Sequence, residues 1–192
     1  MLFRSYLGFD RPFTSYTFED MDGETAISTR AADAAAARGV VVVNSAGNYG
    51  FHAEHNTLGA PADGKRVIAA AAVTSLGTRA YFSSVGPSFD GRIKPDVAAQ
   101  GVAVKAAGSS SVDRYGTVSG TSFSCPLTAG VAALVLQAHR TYTVDQVIAV
   151  LRSTARNTQR ARTTSSAGGS WTSWPPPSRR RLSRDGLRAA AQ

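Results

Sequence analysis

At 192 residues and 43% hydrophobic content the chain is long enough for one domain with a real core, and nothing in it requires a second folded unit. Its formal charge of +8 sits wholly at one end: residues 1–151 hold 12 basic and 12 acidic residues, whereas 152–192 hold nine arginines and one Asp. A neutral body excludes the basic, aromatic-interleaved surface of a nucleic-acid-binding fold, so the pI of 10.2 describes the tail. The N-terminal MLFRSYLGFD lacks the apolar h-region and small-residue cleavage site of a signal peptide. Residues 24–38, ETAISTRAADAAAAR, are rich in strong helix formers, open with acid and stop at Gly39, which predicts a helix. The β-branched run Val40 to Val43 follows at once as a buried parallel strand, and a helix feeding such a strand implies an α/β fold with a largely parallel sheet. Further strands are expected over Arg66 to Val73 and Gly101 to Ala106, separated by turn-rich stretches. Two helices close the ordered part: one over residues 121–140, and one after Thr143, which with Gln146 three residues on forms a capping-box pattern. The longest apolar run, Val131 to Leu136, falls short of the roughly 18 residues of a membrane span. The single cysteine, Cys125, excludes an intrachain disulfide and reads as a small buried hydrophobe.

Three segments carry chemistry. In GTVSGTSFSCPLTAGVAALVL, Gly116 to Leu136, a Ser-Gly-Thr-Ser string precedes a small-residue helix. Ser and Thr are ordinary helix N-caps, so this segment alone says little. Ser124, not Gly, stands two residues after Ser122, so the string is not the G-x-S-x-G elbow of an α/β-hydrolase. In VVVVNSAGNYG, Val40 to Gly50, a strand runs straight into Ser-Ala-Gly-Asn, and an Asn amide just past a strand end is placed to donate to a developing oxyanion. Asn in a Gly-rich turn is otherwise an ordinary turn residue. The third segment is YFSSVGPSFDGRIKPDVAAQG, Tyr81 to Gly101.

In order and spacing these segments resemble the subtilisin-like serine proteases (subtilases, peptidase S8), and the resemblance covers residues 5–160 as the C-terminal part of the catalytic domain. It implies the three-layer subtilisin-like fold with its N-terminal part missing, and peptide-bond hydrolysis through an acyl-enzyme. Ser122 would be the nucleophile and Asn48 the oxyanion-hole side chain, helped by the Ser122 backbone N–H at a helix N-terminus. Ser45, Ala46 and Gly47, with Tyr6, Leu7 and Gly8, would line the substrate cleft. Phe123 and Cys125 replace the commoner Met and Ser. Gln100 stands in AAQG where the family usually has Pro, and a looser turn is expected there. By family the protein would be secreted or at the cell surface, would act on peptides or proteins, and would need no cofactor beyond structural calcium, whose backbone-carbonyl ligands leave no trace in a sequence.

A serine nucleophile needs a general base, and that base an orienting carboxylate. In this family the Asp-Ser/Thr-Gly and His-Gly-Thr segments precede the oxyanion Asn by far more than the 47 residues available here, and both are absent from the chain. His139 cannot substitute. It lies 17 residues after Ser122 on the same expected helix, about 25 Å away at ~1.5 Å per residue. His52 and His55 fall in the loop after Asn48, where the family places no base, and read as exposed loop residues. No group of side chains has metal-ligand spacing. The expectation is therefore a fragment inactive alone, with an upstream fragment of the same domain as one partner. The competing reading is a non-catalytic remnant that only binds peptides.

Residues 161–192 read as a disordered basic tail. Where the family continues with Pro-Asp-x-x-Leu-Gly-Trp-Gly, Ala161 to Pro177 reads ARTTSSAGGSWTSWPPP. If GC-rich codons are chosen to fit, the frame starting at the third base can give Pro-Asp-Asp-Glu-Leu-Gly-Trp-Gly, which makes an out-of-frame tail the hypothesis for this stretch. The alternative, a basic module binding anionic surfaces, predicts strongly salt-dependent DNA binding lost with residues 161–192.

Overall fold

The computed structural model describes residues 7–108 and 113–155. Tyr6 and the tail from 161 onward lie outside the described residues. Helix α1 spans Ile27–Ala37 and buries Thr29, Ala32 and Ala36, small side chains that allow close packing on the sheet. It starts later than its composition suggests. Glu24 precedes the helix and pairs with Lys65, and no acid occupies the first turn. Its stop is as expected: Gly39, at φ 89, donates to the carbonyl of Ala36, the left-handed position glycine takes most readily.

Three parallel strands follow, β1 (Val42–Ser45), β2 (Val67–Val73) and β3 (Val97–Gln100), hydrogen-bonded in that order. In register, Ser45 lies opposite Ala70 and Ala70 opposite Val97. The strand expected over Gly101 to Ala106 begins later, as β4, and a strand not expected from the sequence precedes it. Val97–Gln100 joins the main sheet, whereas β4 (Val104–Ala107) turns away and pairs antiparallel with β5 (Tyr115–Val118). The AAQG turn is not loose. Gly101 N–H donates to the Val73 carbonyl at 2.9 Å, and the Gln100 side-chain amide donates to the Val102 carbonyl at 3.2 Å.

Helix α2 (Thr121–Ala138) packs across all three main strands, α1 packs on β1 and β2, and α3 (Val144–Thr154) leans on α2. Its 18 residues make α2 long and apolar enough, by length and composition, to cross a membrane. The run of consecutive apolar residues missed this because Ser, Thr and Gly interrupt it. Contact with three strands marks α2 as a core helix of the sheet, yet Leu127, Val131 and Leu134 form an exposed stripe along it. Helix α3 buries Val144, Val147, Ile148 and Leu151, the spacing of one helical face. These four join Ala36, Ile68 and Ala132 in one apolar cluster.

The capping box at α3 is present: the Thr143 side chain accepts from Gln146 N–H, and the Gln146 side chain accepts from Thr143 N–H at 2.8 Å. Thr143→Ala is expected to lower stability by about 1 kcal/mol. Urea unfolding of the full chain checks it, with a lower midpoint at unchanged slope as the expected result.

Candidate active site

The C-terminal end of β1 carries the first part of the site. The sheet ladder runs one residue past the strand, with Ala46 N–H donating to the Ala70 carbonyl at 3.0 Å. Gly47, at φ 117, then turns the chain outward and leaves Asn48 exposed at the rim. A side chain at Gly47 is excluded twice over, by the backbone angle and because its Cβ would lie 2.6 Å from Ser84 Oγ. Ser45 and Ala46 are buried. Ala46 shares an apolar cluster with Met21, Ala26, Leu58 and Ala60, against which Leu7 packs. Of the expected cleft residues, the structure thus brings Leu7 against the cluster that contains Ala46. Gly8 follows on the surface, with open space around it.

The second part is the N-terminus of α2. Gly120, at φ 150, is the residue before the helix, and its N–H donates to the Gly101 carbonyl at 2.8 Å. Thr121 opens the helix and Ser122 follows, half-buried and belonging to the first turn, where backbone N–H groups gather partial positive charge.

The two parts meet through Asn48 and Thr121, 73 residues apart in sequence. Asn48 Oδ1 accepts from the Thr121 backbone N–H at 2.9 Å and from the Thr121 hydroxyl at 2.8 Å. With both donors on the oxygen, the Asn48 amide orientation is fixed and Nδ2 becomes the outward donor. Nδ2 lies 3.6 Å from where a Gly120 Cβ would stand. Asn48 is thus fastened to the first residue of α2, the residue before Ser122. An oriented amide donor close to a helix N-terminus is the kind of group that can stabilise negative charge.

Sequence reasoning quoted Thr121 inside its motif but assigned it no task. Its role, fixing the Asn48 amide, depends on a contact across the fold that no local pattern reveals.

The remaining candidates fall elsewhere. His139 ends α2 and stacks on Tyr142 with ring centroids 4.4 Å apart. His52 and His55 stack on one another at 3.7 Å, with His55 also stacked on Phe18 at 4.5 Å. His52 is exposed and His55 half-buried. Cys125 is fully buried, and burial pushes its thiol up to about 11, which leaves it unreactive near neutral pH. Among the described residues, no three His, Cys, Asp or Glu side chains converge to hold a metal ion.

Asn48, just past the C-terminal end of β1, and Ser122, in the first turn of α2, are the two residues for which the sequence resemblance implies an oxyanion donor and a nucleophile. The profile of the subtilase family (Peptidase S8) matches residues 14–169. Subtilisin DY of Bacillus licheniformis is 43% identical over 135 residues, covering 70% of this chain and 46% of that protein. Subtilisin E of Bacillus subtilis (strain 168) is 41% identical over 133 residues, covering 69% of this chain and 32% of the relative. Among solved structures, a cold adapted subtilisin-like serine proteinase superimposes with a TM-score of 0.54 at 31% identity, covering 68% of this chain and 45% of that one. The chain belongs to the subtilase family, and it spans less than half the length of these relatives.

Proposed function

We propose that this chain is the nucleophile-bearing part of a subtilisin-like serine endopeptidase. In this reading Ser122 Oγ attacks the scissile carbonyl, and its proton passes to a general base and then to the leaving amine. Water hydrolyses the resulting acyl-enzyme. Asn48 Nδ2 and the Ser122 backbone N–H stabilise the tetrahedral oxyanion, while Tyr6, Leu7, Gly8 and Ser45 to Gly47 line the path of the substrate backbone. The observation that carries this reading is the pair of hydrogen bonds from Thr121 to Asn48 Oδ1, which hold the Asn48 amide at the end of the helix that carries Ser122. Loss of such an Asn lowers turnover on the order of a hundred- to a thousandfold, a magnitude known from subtilisin itself rather than obtained from this structure.

The 192 residues contain no Asp-Ser/Thr-Gly or His-Gly-Thr string. In this proposal a further segment of the same catalytic domain, joined or separate, brings the base and its carboxylate. It would cover the exposed α2 stripe of Leu127, Val131 and Leu134 and the β1 edge that no described strand occupies. Extracellular action on peptides or proteins accords with the family. Calcium, if held among the described residues, would be bound through groups other than a cluster of three Asp, Glu, His or Cys side chains.

The test is to incubate the full chain with a peptidyl phosphonate and, separately, with a fluorogenic peptide. The expected result is slow covalent labelling that Ser122→Ala abolishes, with hydrolysis roughly a millionfold below that of a complete enzyme, the deficit known for subtilisin lacking its histidine. Peptide binding with no labelling at all would favour a remnant that only binds. Turnover at full family rates, lost in Ser122→Ala, would overturn the expectation of inactivity alone.

A further inference from the structure

We propose that Ser84 is the residue that positions Asn48, and through it the oxyanion side of the site. The catalytic consequence rests on the proteolytic reading above; the positioning itself does not.

Residues 81–85 run between β2 and β3 and carry two adjacent serines, Ser83 and Ser84, both 0% exposed. Neighbouring side chains on an extended segment point in opposite directions, and here they serve different partners. Ser83 Oγ accepts from the Ala72 N–H at 3.0 Å, fastening the segment to β2. Ser84 reaches the site instead. Its backbone N–H donates to the Gly47 carbonyl at 3.0 Å, and its Oγ accepts from the Tyr49 N–H at 3.1 Å.

Ser84 therefore brackets Asn48, donating from its backbone N–H to the residue before it and accepting with its Oγ from the residue after it. The bracket is tight, since a Cβ on Gly47 would come within 2.6 Å of Ser84 Oγ. Its surroundings extend it: Gly50 N–H donates to the Phe82 carbonyl at 2.7 Å, and Thr57 N–H to the Val85 carbonyl at 2.9 Å. Asn48 and Tyr49 are both exposed, so packing does little to hold this turn. Two clamps do that work, Ser84 on the Asn48 backbone and Thr121 on its side chain. Ser84 touches no reacting atom in this scheme and is a positioning residue. An oxyanion donor misplaced by about 1 Å forfeits much of its effect, which is why its support matters.

The experiment compares Ser84→Ala, Ser84→Cys and Ser83→Ala in the full chain, by amide hydrogen exchange and by NMR of the Asn48 side-chain NH2. In Ser84→Ala the Tyr49 amide is expected to exchange roughly tenfold faster or more, and the Asn48 NH2 signals to broaden or shift. Ser84→Cys, close in shape but a weaker acceptor, gives an intermediate result and decides the matter where the Ala variant fails to fold. Ser83→Ala is expected to speed exchange at Ala72 and leave Tyr49 and the Asn48 NH2 as in the parent. Unchanged Tyr49 and Asn48 signals in the folded Ser84 variants overturn the proposal. So does an equal disturbance of both in Ser83→Ala, because Ser84 would then act only through general stability. Failure of the parent chain to label with phosphonate sinks the proteolytic reading while leaving these exchange results to decide the role of Ser84.

Discussion

Replacing Asp96 by Ala is expected to lower the free energy of unfolding by about 3–5 kcal/mol, the range for breaking one side of a buried ion pair. Asp96 and Lys94 each expose 1% of their side chains. The Asp96 carboxylate gathers the Lys94 ammonium at 2.8 Å, the Ala69 N–H at 2.6 Å and the Arg152 guanidinium of α3. Lys94 also donates to the Val67 carbonyl at 2.6 Å, so one cluster ties β2 and the approach to β3 to the last helix. Burial lowers the Lys94 pKa, and the Asp96 charge opposes that shift. Without Asp96 the ammonium and the Ala69 N–H are stranded in a dry interior, which is where most of the cost arises. Arg152 is 45% exposed and contributes little by comparison. Lys94→Met is expected to cost less, because Asp96 keeps Arg152 and the Ala69 N–H. Urea unfolding of both variants tests this. A loss within about 1 kcal/mol for Asp96→Ala would show that the cluster adds little to the sheet.

Gly101→Ala is expected to damage the site as well as the fold. A Cβ at Gly101 would meet Ser124 Oγ, the Ala72 Cβ at 2.6 Å and the Gly120 carbonyl at 2.9 Å. These are backbone or short, buried side chains, so relief requires moving the start of α2 itself. Overpacking of this kind costs about 1–3 kcal/mol. Moving Gly120 also shifts Thr121, and with it the two bonds that orient Asn48. Gly130→Ala makes the contrast. It lies within α2, no atom stands within 4 Å of its Cβ position, and the change should stabilise by up to about 1 kcal/mol. Thermal unfolding combined with NMR of the Asn48 NH2 separates the two variants. A Gly101→Ala chain with parental melting and an undisturbed Asn48 signal would mean the turn relaxes without moving the helix.

What the sequence made legible, and what it hid, follow from how local each signal is. Capping of α3 was readable because its partners, Thr143 and Gln146, lie three residues apart. The Ala-rich run of α1 and its glycine stop were readable for the same reason. Strand β3 was not, because VAAQ has weak strand propensity; it is a strand because β2 supplies its partners. The antiparallel β4–β5 pair was hidden by the Gly in YGTV and by pairing across a loop. The meeting of Asn48 with the start of α2 was legible only from the combination and spacing of motifs, since neither segment demands the other. Thr121, Ser84 and Gly101 act through contacts between distant segments, and residue identity alone cannot announce such a role.

The corner where Asn48 sits is assembled from three stretches of chain, around residues 47–49, 84 and 120–122. Two of them hang from parallel strands, whose pairing cannot begin until the intervening crossover has been made. An unfinished molecule therefore possesses its serine but not the polarised corner beside it. The Thr121–Asn48 contact that closes this corner arrives only with the completed sheet, so a partly folded chain does not hold the Asn48 amide in place.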